Sequence, residues 1–242
     1  MTLESESKNK NTMKKGDIIT IIAVLAVIGV FAFVPGAMDG FNKMTAEHGM
    51  IMSFFKFAIL GTFGEMLALR IRKGSYLEKG FGLVPKMLVW GFLGVIIASA
   101  MVIFKSGTVT LLKNGFGIAQ AGEWFAQGAP LTLGKAFVAL CVSVLMNTIF
   151  APVFMTFHKV TDIHIAETGG TLKGFFCNKL KIQETIAHKI NWDLQYGFVF
   201  KKTIPLFWYP AHTITFLLPG NYQVLFAAFL GVVLGVMLSI KK

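Results

Sequence analysis

The stretch Tyr222–Ile240, YQVLFAAFLGVVLGVMLSI, runs 19 residues without an Asp, Glu, Lys or Arg and stops at Lys241 and Lys242. As a helix rising 1.5 Å per residue it crosses a hydrocarbon core of ~30 Å. In that solvent every backbone N–H and C=O must be satisfied within the segment, which makes a helix the required conformation. Five more apolar blocks lie upstream, near 18–34, 49–69, 86–104, 134–157 and 197–218. Across all 242 residues, 55% are hydrophobic and 14% charged, with a mean hydropathy of +0.66, whereas a soluble domain carries about 25% charge. The expected fold class is all-α, a polytopic transmembrane helical bundle of about six spans. Residues 17–242 form its single domain, and the polar, Lys-rich residues 1–16 read as a disordered cytoplasmic tail.

Charge placement sets the expected topology. With six crossings and the N terminus in the cytoplasm, the cytoplasmic segments hold 18 of the 23 Lys and Arg, and Lys43, Lys105, Lys113 and Lys135 fall outside. That asymmetry follows the positive-inside rule, and removing any one block would put a Lys-rich connector on the wrong side. Both termini are therefore expected in the cytoplasm, with 158–196 as the largest cytoplasmic loop. The net charge of +11 is assigned to lipid headgroups, not to nucleic acid, because the basic residues sit between apolar blocks.

The blocks are not uniform. The first ends at Pro35 and Gly36 and lacks a small-residue cleavage site, so it reads as an uncleaved signal anchor. Residues 105–133 are Gly-rich, too interrupted for a span and too apolar for an exposed loop, which suggests a re-entrant or interfacial segment. The fifth block carries Pro205 and Pro210 and should be kinked. Gly91 and Gly94 in the third block permit close helix approach. Gly231 and Gly235 stand at G-x-x-x-G spacing, marking either a dimer face, and with it a homo-oligomer, or an internal packing seam.

Ionisable groups within hydrocarbon cost about 2.5–3.5 kcal/mol each, so Lys56, Glu65, Lys202 and His212 all need a partner or water. Counting rise per residue puts Glu65 and Lys202 at similar depth, about 6–8 Å inside the cytoplasmic boundary. Either they pair, or Lys202 snorkels to the headgroups. Lys56 and His212 fall at similar depth in the outer half. They form a solute-facing site, or each is satisfied locally, His212 by a carbonyl that Pro210 frees. Asn147 lines the same cavity or bonds a neighbouring helix. The loop residues His158, Asp162, His164, Glu167, Cys177 and His188 have ligand atoms but no tight ligand spacing, so no metal and no cofactor are expected. Cys141 and Cys177 read as reduced thiols. No nucleotide loop, catalytic triad order or H-E-x-x-H pattern is present, so no catalytic residue is named and the chain is not read as an enzyme.

Trp208, Pro210, Ala211, Phe216, Pro219, Tyr222, Leu238 and Ser239 resemble the C-terminal signature of a family of small channel-like membrane proteins. That family is named for the 22-kilodalton peroxisomal membrane protein and includes mitochondrial inner-membrane members. Gly64 and Glu65 resemble the glycine-aspartate of its first core helix, and Phe150, Ala151 and Pro152 its phenylalanine-alanine-proline. The resemblance covers about residues 50–240. It departs at the inserted Tyr209, at Thr215 and Gln223 in place of asparagine and arginine, at Met146 and Asn147 in place of aspartate and glutamine, and in the additional N-terminal span. The resemblance implies a pore, in a prokaryotic branch and so in a plasma membrane. Two functions are then open. One is a small-solute or ion channel or transporter with Lys56, Glu65, Asn147, Lys202 and His212 along a polar path. The other is a non-conducting scaffold or regulator whose basic loop binds anionic lipid or a cytoplasmic partner.

Overall fold

The computed structural model describes residues 13–240. The first twelve residues of the expected tail, with Lys241 and Lys242, lie outside the described residues. Of the described residues 82% are helical and none is in a strand. The principal helices are α1 (Lys15–Phe33), α2 (Ala37–Glu47), α3 (Gly49–Lys73), α4 (Leu83–Thr110), α5 (Leu133–Ile149), α6 (Ala151–Glu167), α7 (Tyr209–Leu217) and α8 (Gly220–Ile240). Wider π-helical turns extend α4 over Leu111–Gly115 and lead into α7 over Gln195–Trp208. Four helices are long and apolar enough to cross a membrane: α1, α3, α4 with its extension, and α8. The pair α5–α6 passes the same test across a 47° bend.

Small residues decide how the core helices approach. A methyl group on Gly94 of α4 would stand 2.5 Å from Phe57 Cβ and 2.6 Å from the Ser53 carbonyl of α3, and one on Gly91 would meet the Phe54 ring at 2.5 Å. The reciprocal hole is Gly61 of α3, where an added methyl would run into the Trp90 indole of α4. Aromatic knobs of each helix thus enter glycine holes of the other. On its other flank α3 meets α8, where a methyl on Gly64 would stand 3.0 Å from Val232 Cα and one on Gly235 3.4 Å from the Gly64 carbonyl oxygen. The buried core spreads from this pair of seams through Met101, Val138, Val142, Met146, Phe216 and Ala228.

Three of the apolar blocks are organised differently from what was expected. α4 does not stop at 104 but continues through Lys105, because Lys105 Nζ donates to Gln223 Oε1 at 3.0 Å. Ser106 and Thr110 also return their hydroxyls to carbonyls one turn back. The block 134–157 is broken at Phe150, just ahead of Pro152, and α6 then continues ten residues past 157 to Glu167. His158, Asp162 and His164 therefore lie on a helix, not in a loop. The block 197–218 is divided between the π-helical segment and α7. Pro205 lies inside the wide segment, where its missing N–H and its ring would break an α-helical turn, and Pro210 follows at the point where the winding returns to α in α7.

α1 buries no side chain among the described residues, so its apolar surface requires an apolar surrounding on every side. Phe31 near its far end packs edge-on against Phe41 of α2, and its polar fastenings are at the start. Asp17 receives Arg70 Nη2 at 2.5 Å and Nε at 2.8 Å, and Tyr76 Oη at 3.0 Å. Lys14 Nζ donates to the Gly74 carbonyl at 2.8 Å. This end, which also carries the start of α4 and the end of α6, is the basic end of the bundle.

The glycine seam makes a direct prediction. Gly94→Leu should lower unfolding stability in detergent by about 1–3 kcal/mol, the usual penalty of overpacking. Gly107→Leu on the same helix should leave the melting curve unchanged, because a methyl there meets nothing within 4 Å. Equal losses at both positions would rule the seam out.

Candidate functional site

Three helices deliver charge to one place near the basic end. Glu65 comes from α3. Lys86 and Trp90, one turn apart, share a face of α4, and His158 and Asp162 have the same spacing on α6. Lys86 Nζ lies 2.5 Å from Glu65 Oε2 and is also hydrogen-bonded to Asp162 Oδ1. The Trp90 indole donates to Glu65 Oε1 at 2.6 Å, and His158 Nε2 is 3.3 Å from the same oxygen. The His158 ring covers Trp90 at a centroid distance of 4.4 Å, and Lys159 Nζ approaches Asp162 Oδ2 at 3.9 Å. Lys86 is 7% exposed, so it is a buried cation bridging two carboxylates. Each of these charges would be costly alone.

The height of Lys86 is set from outside the cluster. The connector before α4 passes Gly82 against Ile165, near the end of α6, and Gly170 against the Gly80 carbonyl. A methyl on Gly82 would sit 2.3 Å from Ile165, and one on Gly170 2.6 Å from that carbonyl. Both glycines hold positive φ, 75° and 68°, where a side chain would add strain. The tight fit holds the first turn of α4 beside α6 and so Lys86 beside Asp162.

A cavity of about 310 Å³ opens next to the cluster. Glu65, His158 and Lys159 border it at the basic end. Its walls are mostly apolar, including Phe57, Ile97, Phe150, Phe154, Val199 and Leu234. Asn147 and His212 meet on the wall. Asn147 Nδ2 donates to the Ser143 carbonyl at 2.8 Å, and His212 Nδ1 lies against the same carboxamide, 2.9 Å from Nδ2 and 3.1 Å from Oδ1. Gln195 and Trp208 complete the polar part of the lining.

Of the residues that the sequence singled out, Glu65, Asn147 and His212 border this cavity and Lys56 and Lys202 do not. Lys202 is exposed, and the carboxylate at its depth is taken by Lys86. Lys56 is buried away from His212. It donates to Thr45 Oγ1 at 2.9 Å and lies 4.6 Å over the Phe41 ring. Gly91, Gly94 and Gly235 face neighbouring helices, whereas a methyl on Gly231 meets nothing within 4 Å because that residue borders the cavity. Of the G-x-x-x-G pair, Gly235 thus packs against α3 and Gly231 faces open space at the cavity. Lys86, Trp90, His158, Asp162, Gln195 and Trp208 were not singled out as a site. The repeated spacing of four residues in Lys86–Trp90 and His158–Asp162 was the available signal.

The candidate ligand atoms of 158–196 are dispersed. His164 Nε2 lies 3.0 Å from the Phe175 carbonyl and Lys189 binds Glu167 at 2.8 Å. Among the described residues no three His, Cys, Asp or Glu side chains gather as a metal site. Lys181 and Lys189 both reach Glu184, at 3.0 and 3.2 Å. The Lys181 hydrogen bond first, and then that of Lys189, holds the Glu184 carboxyl below the usual carboxylate range. Lys189 is raised in turn, mainly by its bond to Glu167.

Removing Lys86 separates the two interpretations of Glu65. Lys86→Met would leave Glu65 and Asp162 buried without their shared cation, and stability should fall by about 3–5 kcal/mol. Lys202→Met should change it by less than ~0.5 kcal/mol. Chemical unfolding monitored by tryptophan fluorescence measures both, and the reverse order would restore the Glu65–Lys202 pair. No family model, no curated protein and no solved structure matches this chain.

Proposed function

We propose that this chain is an integral membrane conduit for a small solute, gated at its cytoplasmic end by the Glu65–Lys86–Asp162–His158 cluster. The observation that carries the proposal is the position of that cluster, whose Glu65 and His158 form one border of a cavity within the helix bundle. Charged groups inside the membrane are expensive and tend to mark solute paths. Lys86 holds carboxylates from α3 and α6 together, so parting those helices requires Lys86 to release one of them. A single side chain thereby couples helix position to access.

The same reading has six crossings, the sixth formed by Gln195–Trp208 with α7, and both termini in the cytoplasm of a prokaryotic cell. Fastening the start of α1 to the end of α3 through Asp17 and Arg70 supports it, since both ends must then share a face. The relationship to the peroxisomal and mitochondrial channel-like family belongs to the proposal too. Several residues that carry the resemblance, Gly64, Glu65, Phe150, Ala151, Trp208 and Leu238, border the cavity. The alternative of a basic docking loop is weakened because Lys159, Lys181 and Lys189 already face acidic partners.

Reconstituted vesicles test conduction. Osmotic swelling in glycerol should exceed that of protein-free vesicles. Asp162→Asn, which weakens one arm of the cluster, should raise the rate about tenfold, the equivalent of ~1.4 kcal/mol off the closed state. Swelling at the protein-free rate for both proteins would overturn the conduit. Orientation has a separate test in Cys177, which is exposed. An impermeant maleimide should label it after lysis and not in intact cells, and labelling from outside would reverse the topology.

A further inference from the structure

Most polar groups on the cavity wall are satisfied within the chain, and two are not. Gln195 is 7% exposed, and no hydrogen bond engages its carboxamide among the described residues. The Trp208 indole Nε1–H is fully buried without an acceptor. Both belong to the π-helical segment Gln195–Trp208, and both line the cavity. The third feature is the Nε2 of His212. The His212 Nδ1 meets the Asn147 carboxamide, 2.9 Å from Nδ2 and 3.1 Å from Oδ1, and no hydrogen bond engages Nε2 among the described residues, so Nε2 can serve a ligand as acceptor or donor according to the tautomer. The Trp208 N–H is shut off from the cavity space, so the group that can meet a ligand is the Gln195 carboxamide, and an amide so nearly buried without a partner is unfavourable.

The rest of the lining limits what that group can be attached to. Apolar side chains form most of the wall, and its charges are balanced: Glu65 by Lys86, and Lys159 by Asp162. No ring of oxygens or unpaired charge is present among the described residues to replace the hydration of an inorganic ion. A volume of about 310 Å³ is at the lower end of small-molecule pockets. α8 and the Gln195–Trp208 segment make no substantial contact with each other. Between them the cavity is flanked by Val199, Leu234 and the exposed Leu238, an apolar seam facing the bilayer side of the bundle.

We propose that the cavity binds an uncharged, apolar-bodied small molecule that dissolves in the bilayer, passes between α8 and the Gln195–Trp208 segment, and hydrogen-bonds to Gln195. Its polar group must meet the Gln195 carboxamide. A hydroxyl meets that requirement as donor or acceptor and can also bond to His212 Nε2. As the substrate class of the conduit, this molecule rests on the reading above for its passage, but its binding does not.

The full chain in nanodiscs of neutral lipid tests the assignment with three brominated quenchers of tryptophan fluorescence: 4-bromophenol, bromobenzene and 4-bromobenzoate. Trp90 and Trp208 both border the cavity, so a bound bromine quenches them. At pH 7 the phenol is uncharged and the carboxylate ionised. 4-Bromophenol should saturate at about tenfold lower concentration than 4-bromobenzoate, the scale of one buried hydrogen bond plus avoided charge burial. Gly231→Leu places a side chain in the cavity where the backbone leaves room, and it should abolish the saturable quenching while the melting curve is kept. Gln195→Leu should weaken 4-bromophenol about tenfold and leave bromobenzene unchanged. Equal quenching by phenol and benzoate in the parent protein overturns the ligand class without reference to any variant. Saturable quenching that survives a folded Gly231→Leu overturns the location. Cavity-dependent quenching without solute swelling retires the conduit and keeps the site, and swelling without such quenching does the reverse.

Discussion

A lysine that cannot reach water organises the basic end of this bundle. Lys86 is buried between two carboxylates on different helices, and neither acid has another full cation as close. In hydrocarbon the alternative to pairing is an isolated ion, several kcal/mol less stable after relaxation. The relative placement of α3, α4 and α6 is therefore tied to one nitrogen. Apolar packing alone would not give that constraint, because lipid tails solvate apolar helices as well as other helices do. The indole of Trp90 and the imidazole of His158 take up the remaining oxygen of Glu65, so the carboxylate is satisfied as well as neutralised.

The ionic contact is possible only because the backbones come close. Glu65 lies one turn beyond Gly61, and Gly61 receives the Trp90 ring. A side chain at Gly61 would push α4 outward and carry both Lys86 and Trp90 away from Glu65. The glycines at 91 and 94 serve the same seam farther from the basic end, admitting Phe54 and Phe57. Packing and electrostatics are thus in series here: glycine sets the distance, and the distance lets the charges meet.

The long apolar helices were legible because span length and lack of charge point to the same conformation. Their ends were not, since a polar side chain ends a hydropathy pattern without ending a helix. Lys105 prolongs α4 by finding Gln223, and His158 and Asp162 prolong α6 by finding Glu65 and Lys86, contacts between residues far apart in sequence. Depth counting correctly required a partner for Glu65, and it selected Lys202 because rise per residue gives height without azimuth. The azimuth of Lys202 was further obscured by its place in a π-helical stretch, where the wider turn displaces every residue from the 3.6-residue phase. Lys86 had been taken as the edge of a span, the position from which a lysine ordinarily snorkels.

That same wide stretch explains why the cavity lies where it does. Pro205 cannot donate to the ladder, and its ring excludes the carbonyl one turn back. A wider winding accommodates both defects and also broadens the segment. The wider turn shifts its side chains out of the 3.6-residue phase, and α8 opposite offers Ala227 and Gly231, which fill little space. The two surfaces do not close on each other, and the space between them is the cavity. Ordinary packing would have matched Gln195 and Trp208 with partners across such an interface. They instead border the cavity, the Gln195 carboxamide without a partner and the Trp208 N–H buried without an acceptor. Unmet polar groups of this kind are unfavourable for folding alone, and both fall on the one wall that proline widens.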